Sequence, residues 1–248
     1  MSQSIKIQSM KHAGKILAQT FEHVSSIIHE GISALQIDQQ VQSFIEGKGA
    51  SAGFLGYQGY KYSTCISKNE EIVHGIPHPD KYFFDGDIVS IDIGVKYNGY
   101  YADAARTFLI GEVSDQAKHL AEVTQQSFFE SMKGIKAGSR LGDISYGIQS
   151  YVEAHGLTIV KDLYSHGVGS SLHEEPLIPN YGKPGTGMVL KPGMTMAIEP
   201  MVNIGTPDIE TLDDQWTIVT QDRQLSAHYE NTILITEDSV EILTLGNG

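Results

Sequence analysis

Asp92 and Asp103 flank a dipeptide, Asn98-Gly99, that is a strong signal for a two-residue hairpin turn. Both positions of such a turn require positive φ, which asparagine and glycine tolerate. Strand pairing that starts at this turn places Gly94 opposite Asp103, and Asp92 lies on the same face as Gly94 because side chains alternate along a strand. The two carboxylates are therefore predicted to be diagonal cross-strand neighbours, with Cβ atoms about 7–8 Å apart or somewhat less.

Two carboxylates on one half-buried face repel each other unless a positive charge lies between them. A pair of metal ions about 3.5–4 Å apart fits such a gap. The commoner arrangement is a pair of solvated acids on an exposed sheet face, and the hairpin by itself leaves both interpretations open. The opposite face of the first strand is predicted to enter the core with Val89, Ile91, Ile93 and Val95.

Further polar residues occur in surroundings that favour metal binding or catalysis. Glu199 and Glu230 each lie in an apolar segment predicted to be a strand, where carboxylates are seldom buried unless they are paired or bound to metal. His74, His166 and His173 lie beside glycines or acidic residues. A lone histidine is more often a structural hydrogen-bonding residue, and that interpretation is kept for the others, which are His12, His23, His29, His78, His119, His155 and His228.

The composition is that of an acidic globular protein. The 248 residues include 30 acidic and 17 basic side chains, and this formal charge of −13 argues against nucleic-acid binding, which needs a basic face. Cys65 is the single cysteine, so no internal disulfide is possible and a reducing compartment is favoured. Residues 1–6 contain no signal-peptide core, and no apolar run approaches the roughly 20 residues of a membrane span. We expect a soluble, cytoplasmic protein.

Apolar periodicity predicts helices followed by strands, twice along the chain. The spacing of Leu17, Phe21, Val24 and Ile28, for example, is that of one helical stripe. This order favours an α+β fold of two similar halves. Helices are predicted at 17–28, 37–45, 117–128 and 144–152, strands at 88–96, 100–110, 157–160, 195–201, 216–221, 228–236 and 240–244, a loop with a short strand at 53–66, and a loop at 179–193.

Taken together, these residues and their neighbours resemble the type I methionine aminopeptidases along nearly the whole chain. Each matching stretch is weak evidence alone, whereas the set is highly specific. The resemblance implies the pita-bread fold, a pseudo-symmetric α+β fold with antiparallel sheet and helices outside, in one catalytic domain, 1–248, with halves of about 1–112 and 113–248. The matching stretches are 69–77, the hairpin of Asp92 and Asp103, 165–169, 173–176, 198–201 and 230–232.

The resemblance also implies five metal ligands and two divalent metal ions. Asp92 is expected to be bidentate to one ion, His166 and Glu199 to bind the other, and Asp103 and Glu230 to bridge the two. Four carboxylates and two divalent ions have nearly cancelling charges, and one imidazole among oxygen donors suits Co, Mn, Fe or Zn. A monovalent cation is a further ion that the resemblance allows.

By the same resemblance, three residues have catalytic roles in hydrolysis of the first peptide bond. Glu199 is the expected general base, which passes a proton to the leaving amine. His173 is expected to hydrogen-bond the carbonyl oxygen as negative charge develops on it. His74 is expected to contact the scissile amide nitrogen or the substrate backbone, and the free α-amino group is expected to reach the metals.

Around the substrate, the resemblance implies an apolar pocket for the methionine side chain. Apolar and aromatic walls suit an unbranched thioether. Some positions depart from the commonest pattern of the family: Phe54 and Val73 stand where some relatives have cysteine, Leu172 where some have phenylalanine, and Ala104 where threonine or cysteine is common. Selectivity for a small second residue is expected. The pocket residues are Tyr57, Tyr60, Cys65, Leu172 and Trp216, with His74 and His173 also binding substrate.

Three other functions remain open at this point. Prolidase-like or Xaa-Pro aminopeptidases share the fold but usually have a substantial N-terminal domain, and only 73 residues precede His74. Type II methionine aminopeptidases have an extra helical insertion in the second half, for which the segment between Glu199 and Glu230 leaves little room. A binding module that lost catalysis would usually have lost metal ligands as well.

The expected partners follow from the reaction. They are the N-termini of nascent polypeptides, which implies transient proximity to the ribosome, although the chain shows neither a basic tail nor a zinc-finger extension for docking. Reading of nucleic-acid sequence and membrane attachment are not expected. A monomer is expected because the short forms of the family are often monomeric.

Overall fold

The computed structural model describes residues 3–246. Four residues of the predicted domain lie outside the described residues, namely 1, 2, 247 and 248. The first two also begin the segment 1–6, in which no signal-peptide core is predicted. The predicted helices are confirmed, although α1 begins well before its apolar stripe and ends one residue before Ile28. The helices are α1 Gln3–Ile27, α2 Ala34–Gly47, α3 Asp115–Met132 and α4 Leu141–Ala154.

The strands agree with the predicted segments in most places, and the differences matter for the site. The predicted strands 195–201 and 228–236 are each broken in two, and Glu199 and Glu230 lie in the breaks rather than inside strands. Five strands were not predicted, and these are Ser51–Ala52, Glu71–Val73, Tyr164–Gly167, Glu174–Pro179 and Ile209–Thr211. The strands of the described residues are β1 Ser51–Ala52, β2 Thr64–Lys68, β3 Glu71–Val73, β4 Ile88–Tyr97, β5 Tyr100–Leu109, β6 Thr158–Ile159, β7 Tyr164–Gly167, β8 Glu174–Pro179, β9 Thr195–Ile198, β10 Met201–Asn203, β11 Ile209–Thr211, β12 Ile218–Thr220, β13 Ser226–His228, β14 Asn231–Ile235 and β15 Val240–Ile242.

The first large sheet is built around β4, which pairs with β1, β2 and β5. One face of β4 is buried against α1 and α2, as the alternation of its residues predicts, and Ile91 and Ile93 have no exposed surface. The start of α2 is fixed by a capping box between Ser33 and Gln36. This packing leaves the other face of β4, which contains Asp92, turned away from the helices.

The second large sheet has the strand order β15-β14-β9-β7-β8. Its apolar face packs with α3 and α4, and Phe128, Ile148, Ile198 and Ile233 belong to one buried cluster. The side chains of this cluster keep the helical and strand periods that the sequence shows.

The two sheets meet where β5 lies beside the start of β14. Thr232 accepts a hydrogen bond from the Asp103 amide at 2.8 Å and donates its hydroxyl to the Asp103 carbonyl at 2.9 Å. Ala105 and Glu230 exchange backbone hydrogen bonds at 3.3 and 3.0 Å. Residues that are distant in the sequence are therefore held side by side at the centre of the molecule.

One segment without helices bears on the type II alternative. The segment between Glu199 and Glu230 contains β10 to β13 and no helix, so the helical insertion typical of type II enzymes is missing from this described segment. Among residues 3–246, none of the helices combines the length and the apolar character that a bilayer crossing requires.

Candidate metal centre

The hairpin of Asp92 and Asp103 has the predicted register. Asn98 and Gly99 form the turn with φ of 50° and 82°, and Gly94 lies opposite Asp103. Asp92 follows two positions along the same face, so both carboxylates point to one side of the sheet. The local turn chemistry thus determines where this acidic pair lies.

His166 and Glu199 come from the second sheet. His166 on β7 pairs with Ala197 of β9, and Glu199 follows the last residue of β9. The Glu199 amide donates to the Ser165 hydroxyl at 2.9 Å, which orients the backbone at the break before Pro200. His166 Nε2 lies 3.5 Å from Glu199 Oε1.

The tautomer of His166 follows from its neighbour. The Nδ1 atom lies 2.9 Å from the Gly167 carbonyl oxygen, which can only accept a hydrogen bond. The proton of the neutral ring is therefore on Nδ1, and Nε2 directs a lone pair at the carboxylates. This is the arrangement that a metal-binding histidine usually has.

Glu230 is held between β13 and β14 by its own backbone. Besides the exchange with Ala105, its carbonyl oxygen accepts a hydrogen bond from Arg106, whose guanidinium also binds Asn231 Oδ1 at 2.7 Å. Arg106 is itself packed between the rings of Phe21 and Tyr229, 5.0 and 4.5 Å from their centroids. The backbone that presents Glu230 is thus fixed from several directions.

Three overlapping groups of possible ligand atoms converge at this junction, with the atoms of each group within 4.8 Å of one another. Glu230 belongs to one group with His166 and Glu199 and to another with Asp92 and Asp103. Asp103 also groups with His166 and His173. The structure therefore brings all five residues together. Asp103, His166 and Glu230 each belong to two groups, and the assignment of the five residues as metal ligands stays a prediction.

The four carboxylates, called the carboxylate cluster below, are Asp92, Asp103, Glu199 and Glu230. Burial raises the pKa of each well above its usual range, and repulsion between the neighbouring carboxylates raises it further. Asp92 Oδ1, Asp103 Oδ1 and Glu230 Oε1 are buried without a hydrogen-bond partner among the described residues. Such a set of oxygen donors is costly to bury unless cations neutralise it, so the residues fit divalent metal ions.

We expect the metal-stripped protein to lose stability as the pH rises from about 6.5 to about 8. A carboxyl with a raised pKa keeps its proton in the folded chain at pH values where the unfolded chain has released it, so rising pH favours unfolding. Burial lowers the pKa of His166 and His228 to about 3 and of His74 to about 4, but this opposite effect acts only below the unfolded value near 6.5. Urea unfolding after chelation should show a free energy of unfolding that falls as the pH rises through this range.

Glu230→Gln is the control for this pH effect, because the amide has nearly the same shape and does not titrate. The variant should reduce the pH dependence of the free energy of unfolding. A stripped wild-type protein that is more stable at the higher pH would contradict the mutual repulsion of the carboxylate cluster.

A cavity of about 290 Å³ opens beside the carboxylate cluster. Its apolar side is formed by a small packed group in which Phe54, Tyr60 and Cys65 are buried. Asp38 on α2 supports this wall, because its carboxylate accepts hydrogen bonds from the Ser63 and Thr64 amides at 2.9 and 2.8 Å. The cavity is lined by all the predicted pocket and catalytic residues, which are Tyr57, Tyr60, Cys65, His74, Leu172, His173, Glu199 and Trp216.

Three of the four positions that depart from the commonest family pattern, Phe54, Val73 and Leu172, line this cavity. Phe54 packs over Gly94, where an added Cβ would lie only 2.7 Å from the Phe54 ring. Val73 also lines the cavity, whereas Ala104 is buried on β5 and does not. A phenylalanine at position 54 is therefore accommodated because residue 94 has no side chain.

His74 and His173 both line the cavity beside the cluster. His74 follows β3 with a left-handed φ of 59°, which turns the chain towards the cavity. His173 is exposed at the mouth, where Nδ1 lies 2.7 Å from the Tyr57 hydroxyl and the ring packs edge-on to His166 at 4.3 Å. The contact of His173 with Tyr57 was not predicted from the sequence.

His228 is a residue of the site that the sequence interpretation missed. Its Nε2 atom lies 3.3 Å from Glu199 Oε2 and 4.0 Å from Glu230 Oε2. The available signal was the spacing of two between His228 and Glu230, which places both on one face of an extended segment. The general expectation that a lone histidine is structural outweighed it.

The sequence and the fold of this chain are similar to those of known metallopeptidases. Residues 8–237 match Metallopeptidase family M24. Methionine aminopeptidase 1 of Bacillus subtilis is 49% identical over 95% of this chain and 94% of its own length, and the methionine aminopeptidase of Clostridium acetobutylicum is 46% identical over 97% and 96%. The crystal structure of methionine aminopeptidase from Thermotoga maritima superposes with a TM-score of 0.95 at 48% identity, covering 97% of this chain and 96% of that one.

A more distant structure defines only the fold. The prolidase from Pyrococcus furiosus has a TM-score of 0.75 at 24% identity, covering 98% of this chain and 64% of that one. The predicted α+β pita-bread fold and the resemblance to methionine aminopeptidases are both confirmed. The family implies the use of divalent metal, for which the carboxylate cluster provides suitable donors. This chain belongs to metallopeptidase family M24 and, within it, to the methionine aminopeptidases.

Proposed function

We propose that this protein removes the N-terminal methionine from proteins and peptides by hydrolysing the first peptide bond, with preference for a small second residue. The observation that carries the proposal is that one cavity is lined both by apolar side chains and by all four residues of the carboxylate cluster. An unbranched thioether fits walls made of aromatic and aliphatic side chains. The negative carboxylates would attract a free α-ammonium group, so we expect only the N-terminal end of a peptide to bind.

We also propose a centre of two divalent ions, Co, Mn, Fe or Zn, held by Asp92, Asp103, His166, Glu199 and Glu230. When bound, such ions lower the pKa of water and polarise a carbonyl oxygen. Glu199 lines the cavity and is proposed to take a proton from the attacking water and to deliver it to the leaving amine. His74 lines the same cavity and is proposed to contact the substrate backbone.

His173 is proposed to donate a hydrogen bond to the substrate carbonyl oxygen, and Tyr57 selects the tautomer that can do so. The Gln58 side-chain amide donates to the Tyr57 oxygen at 3.3 Å, which leaves the phenol proton for His173 Nδ1 at 2.7 Å. The proton of the neutral imidazole is then on Nε2, where it can be donated to the substrate.

The Tyr57→Phe variant should therefore turn over more slowly without losing metal. We expect kcat to fall about 2- to 10-fold, which corresponds to one hydrogen bond of 0.5–1.5 kcal/mol. Tyr62→Phe is the matched control, because Tyr62 packs against Tyr60 without lining the cavity. Equal kcat values for the Tyr57 variant and the wild type would show that the phenol does not orient His173.

Cleavage of Met-Xaa peptides tests the proposed function directly. The protein is stripped of metal, supplied with Co, Mn, Fe or Zn in turn, and assayed on Met-Ala-Ser and on peptides with larger second residues. Small second residues should be cleaved fastest. Cleavage of Xaa-Pro peptides in preference to Met-Ala-Ser would instead indicate a prolidase-like activity. A protein that neither cleaves peptides nor binds two metal ions would be a binding module.

Several further features belong to the same proposal. We propose a single catalytic domain with halves of about 1–112 and 113–248, a monomer that acts in the cytoplasm on nascent chains close to the ribosome. A monovalent cation is proposed as an additional bound ion. Size-exclusion chromatography, metal analysis and co-sedimentation with ribosomes test these points separately.

A further inference from the structure

His228 lies against the carboxylate cluster on the side that does not face the substrate cavity. Its side chain is 1% exposed, and Nε2 lies 3.3 Å from Glu199 Oε2. His228 is absent from the lining of the substrate cavity and belongs instead, with Arg106, to the lining of a second cavity of about 480 Å³. His228 can therefore act on the cluster without touching the substrate.

The position of His228 is fixed by the hairpin that also presents the two aspartates. Its amide donates to Thr107 Oγ1 at 3.1 Å and to Ser90 Oγ at 3.3 Å, and its carbonyl accepts from the Thr107 hydroxyl at 2.9 Å. Ser90 and Thr107 are themselves linked at 2.8 Å across β4 and β5. The distance between His228 and the cluster is therefore set by the fold.

The Nε2 atom of His228 is buried and has no hydrogen-bond partner among the described residues. An unpaired buried polar atom is costly, and an apolar side chain would fill the same space without that cost. The polar groups next to Nε2 are the carboxylates of Glu199 and Glu230. An ionised carboxylate is only an acceptor, so both groups favour the tautomer with the proton on Nε2.

We propose that His228 is a positioning residue that donates its Nε2–H to Glu199 when the cluster is ionised around divalent metal. The hydrogen bond fixes one carboxylate oxygen of Glu199 and so determines the direction in which the other faces the metal and the substrate. Hydrogen bonds behind metal ligands commonly orient them and strengthen binding. The effect on turnover rests on the proposed function, whereas the effect on metal binding does not.

His228→Leu and His228→Gln separate this role from simple packing. Leucine fills the space without a donor, whereas the glutamine Nε2 can place an N–H group close to the position of the histidine Nε2. The probe is Co²⁺ alone, with its dissociation constants measured by titration calorimetry and its visible absorption spectrum recorded on the stripped full-length protein. kcat and KM on Met-Ala-Ser and the unfolding temperature of the stripped protein are measured in parallel.

The leucine variant should bind Co²⁺ about 10- to 100-fold more weakly, with an altered spectrum and a lower kcat at similar KM. The glutamine variant should recover both affinity and kcat to within about threefold of the wild type, the scale of a small hydrogen-bond difference. If the leucine variant does not fold, His228→Asn replaces it, because the shorter amide does not reach Glu199.

Three results would overturn the proposal. One is wild-type Co²⁺ affinity and spectrum in the leucine variant. Another is a glutamine variant as impaired as the leucine variant although both stripped proteins unfold at the same temperature. The third is a leucine variant that binds one Co²⁺ ion even at saturating Co²⁺ where the wild type binds two, which would make His228 a ligand. Because Co²⁺ binding needs no substrate, these outcomes can be read even if the wild type does not cleave Met-Ala-Ser.

Discussion

Asp103→Ala and Glu230→Ala are expected to abolish metal binding and peptidase activity together. Both residues belong to two of the groups of converging ligand atoms, so each substitution removes a donor shared between two metal positions. Loss of the ions would remove the proposed activation of water and of the carbonyl, and it would leave Glu199, the proposed base, without neutralising charge. We expect activity to fall by more than about 10³-fold.

Metal content by mass spectrometry and cleavage of Met-Ala-Ser provide the measurements. Asp162→Asn is the matched control, because Asp162 lines the same cavity but joins no group of ligand atoms among the described residues. It should keep its metal. The two alanine variants should also remain folded after stripping, since each removes one buried carboxylate from a mutually repelling set.

Retention of two ions by either alanine variant would contradict the bridging role. Loss of one ion with partial activity would mean that the residue binds a single metal position. A variant that is unfolded even with its metal removed would point to a structural role for the backbone at Asp103 or Glu230.

The acidic hairpin could be predicted because its determinants are local. Asn98-Gly99 selects a two-residue turn, and the strand period then places Asp92 and Asp103 on one face without any knowledge of the rest of the chain. The buried face of β4 follows from the same alternation. Such features need only a few consecutive residues.

The breaks at Glu199 and Glu230 could not be predicted with the same rules. Both acids lie in apolar runs whose periodicity continues across them, so the sequence favours unbroken strands there. Pro200 was a signal for the first break, because proline cannot donate to a strand ladder. The second break depends on the pairing of Glu230 with Ala105, which lies in the other sheet.

The convergence of the site depends on contacts between the two sheets, and that is why the resemblance was needed to assemble it. His166 lies on β7, which was not predicted, and reaches the cluster only because β9 pairs with both β7 and β14. His228 was set aside because no local rule distinguishes a buried histidine behind a metal centre from one that packs in a core. Its role becomes visible only from the distance to Glu199.

His173→Ala is expected to keep its metal but to lower kcat/KM by about 10²–10³-fold, the usual effect of removing one donor to a developing oxyanion. The test also distinguishes two possible roles of His173, because its ring nitrogen lies close enough to the ligand atoms of Asp103 and His166 to bind a metal ion with them. Its hydrogen bond to Tyr57 favours the donor role, since it leaves a proton on Nε2. A donor should affect the transition state, whereas a ligand should affect metal content.

Metal stoichiometry and steady-state kinetics on Met-Ala-Ser separate these roles. His173→Gln should recover part of the activity because its side-chain amide can still donate, and His155→Ala is the control at an exposed position on the far end of α4. A fall from two bound ions to one would assign His173 to the metal. Full turnover in the alanine variant would show that the carbonyl oxygen of the substrate is stabilised without it, and His74 would then be the next residue to test.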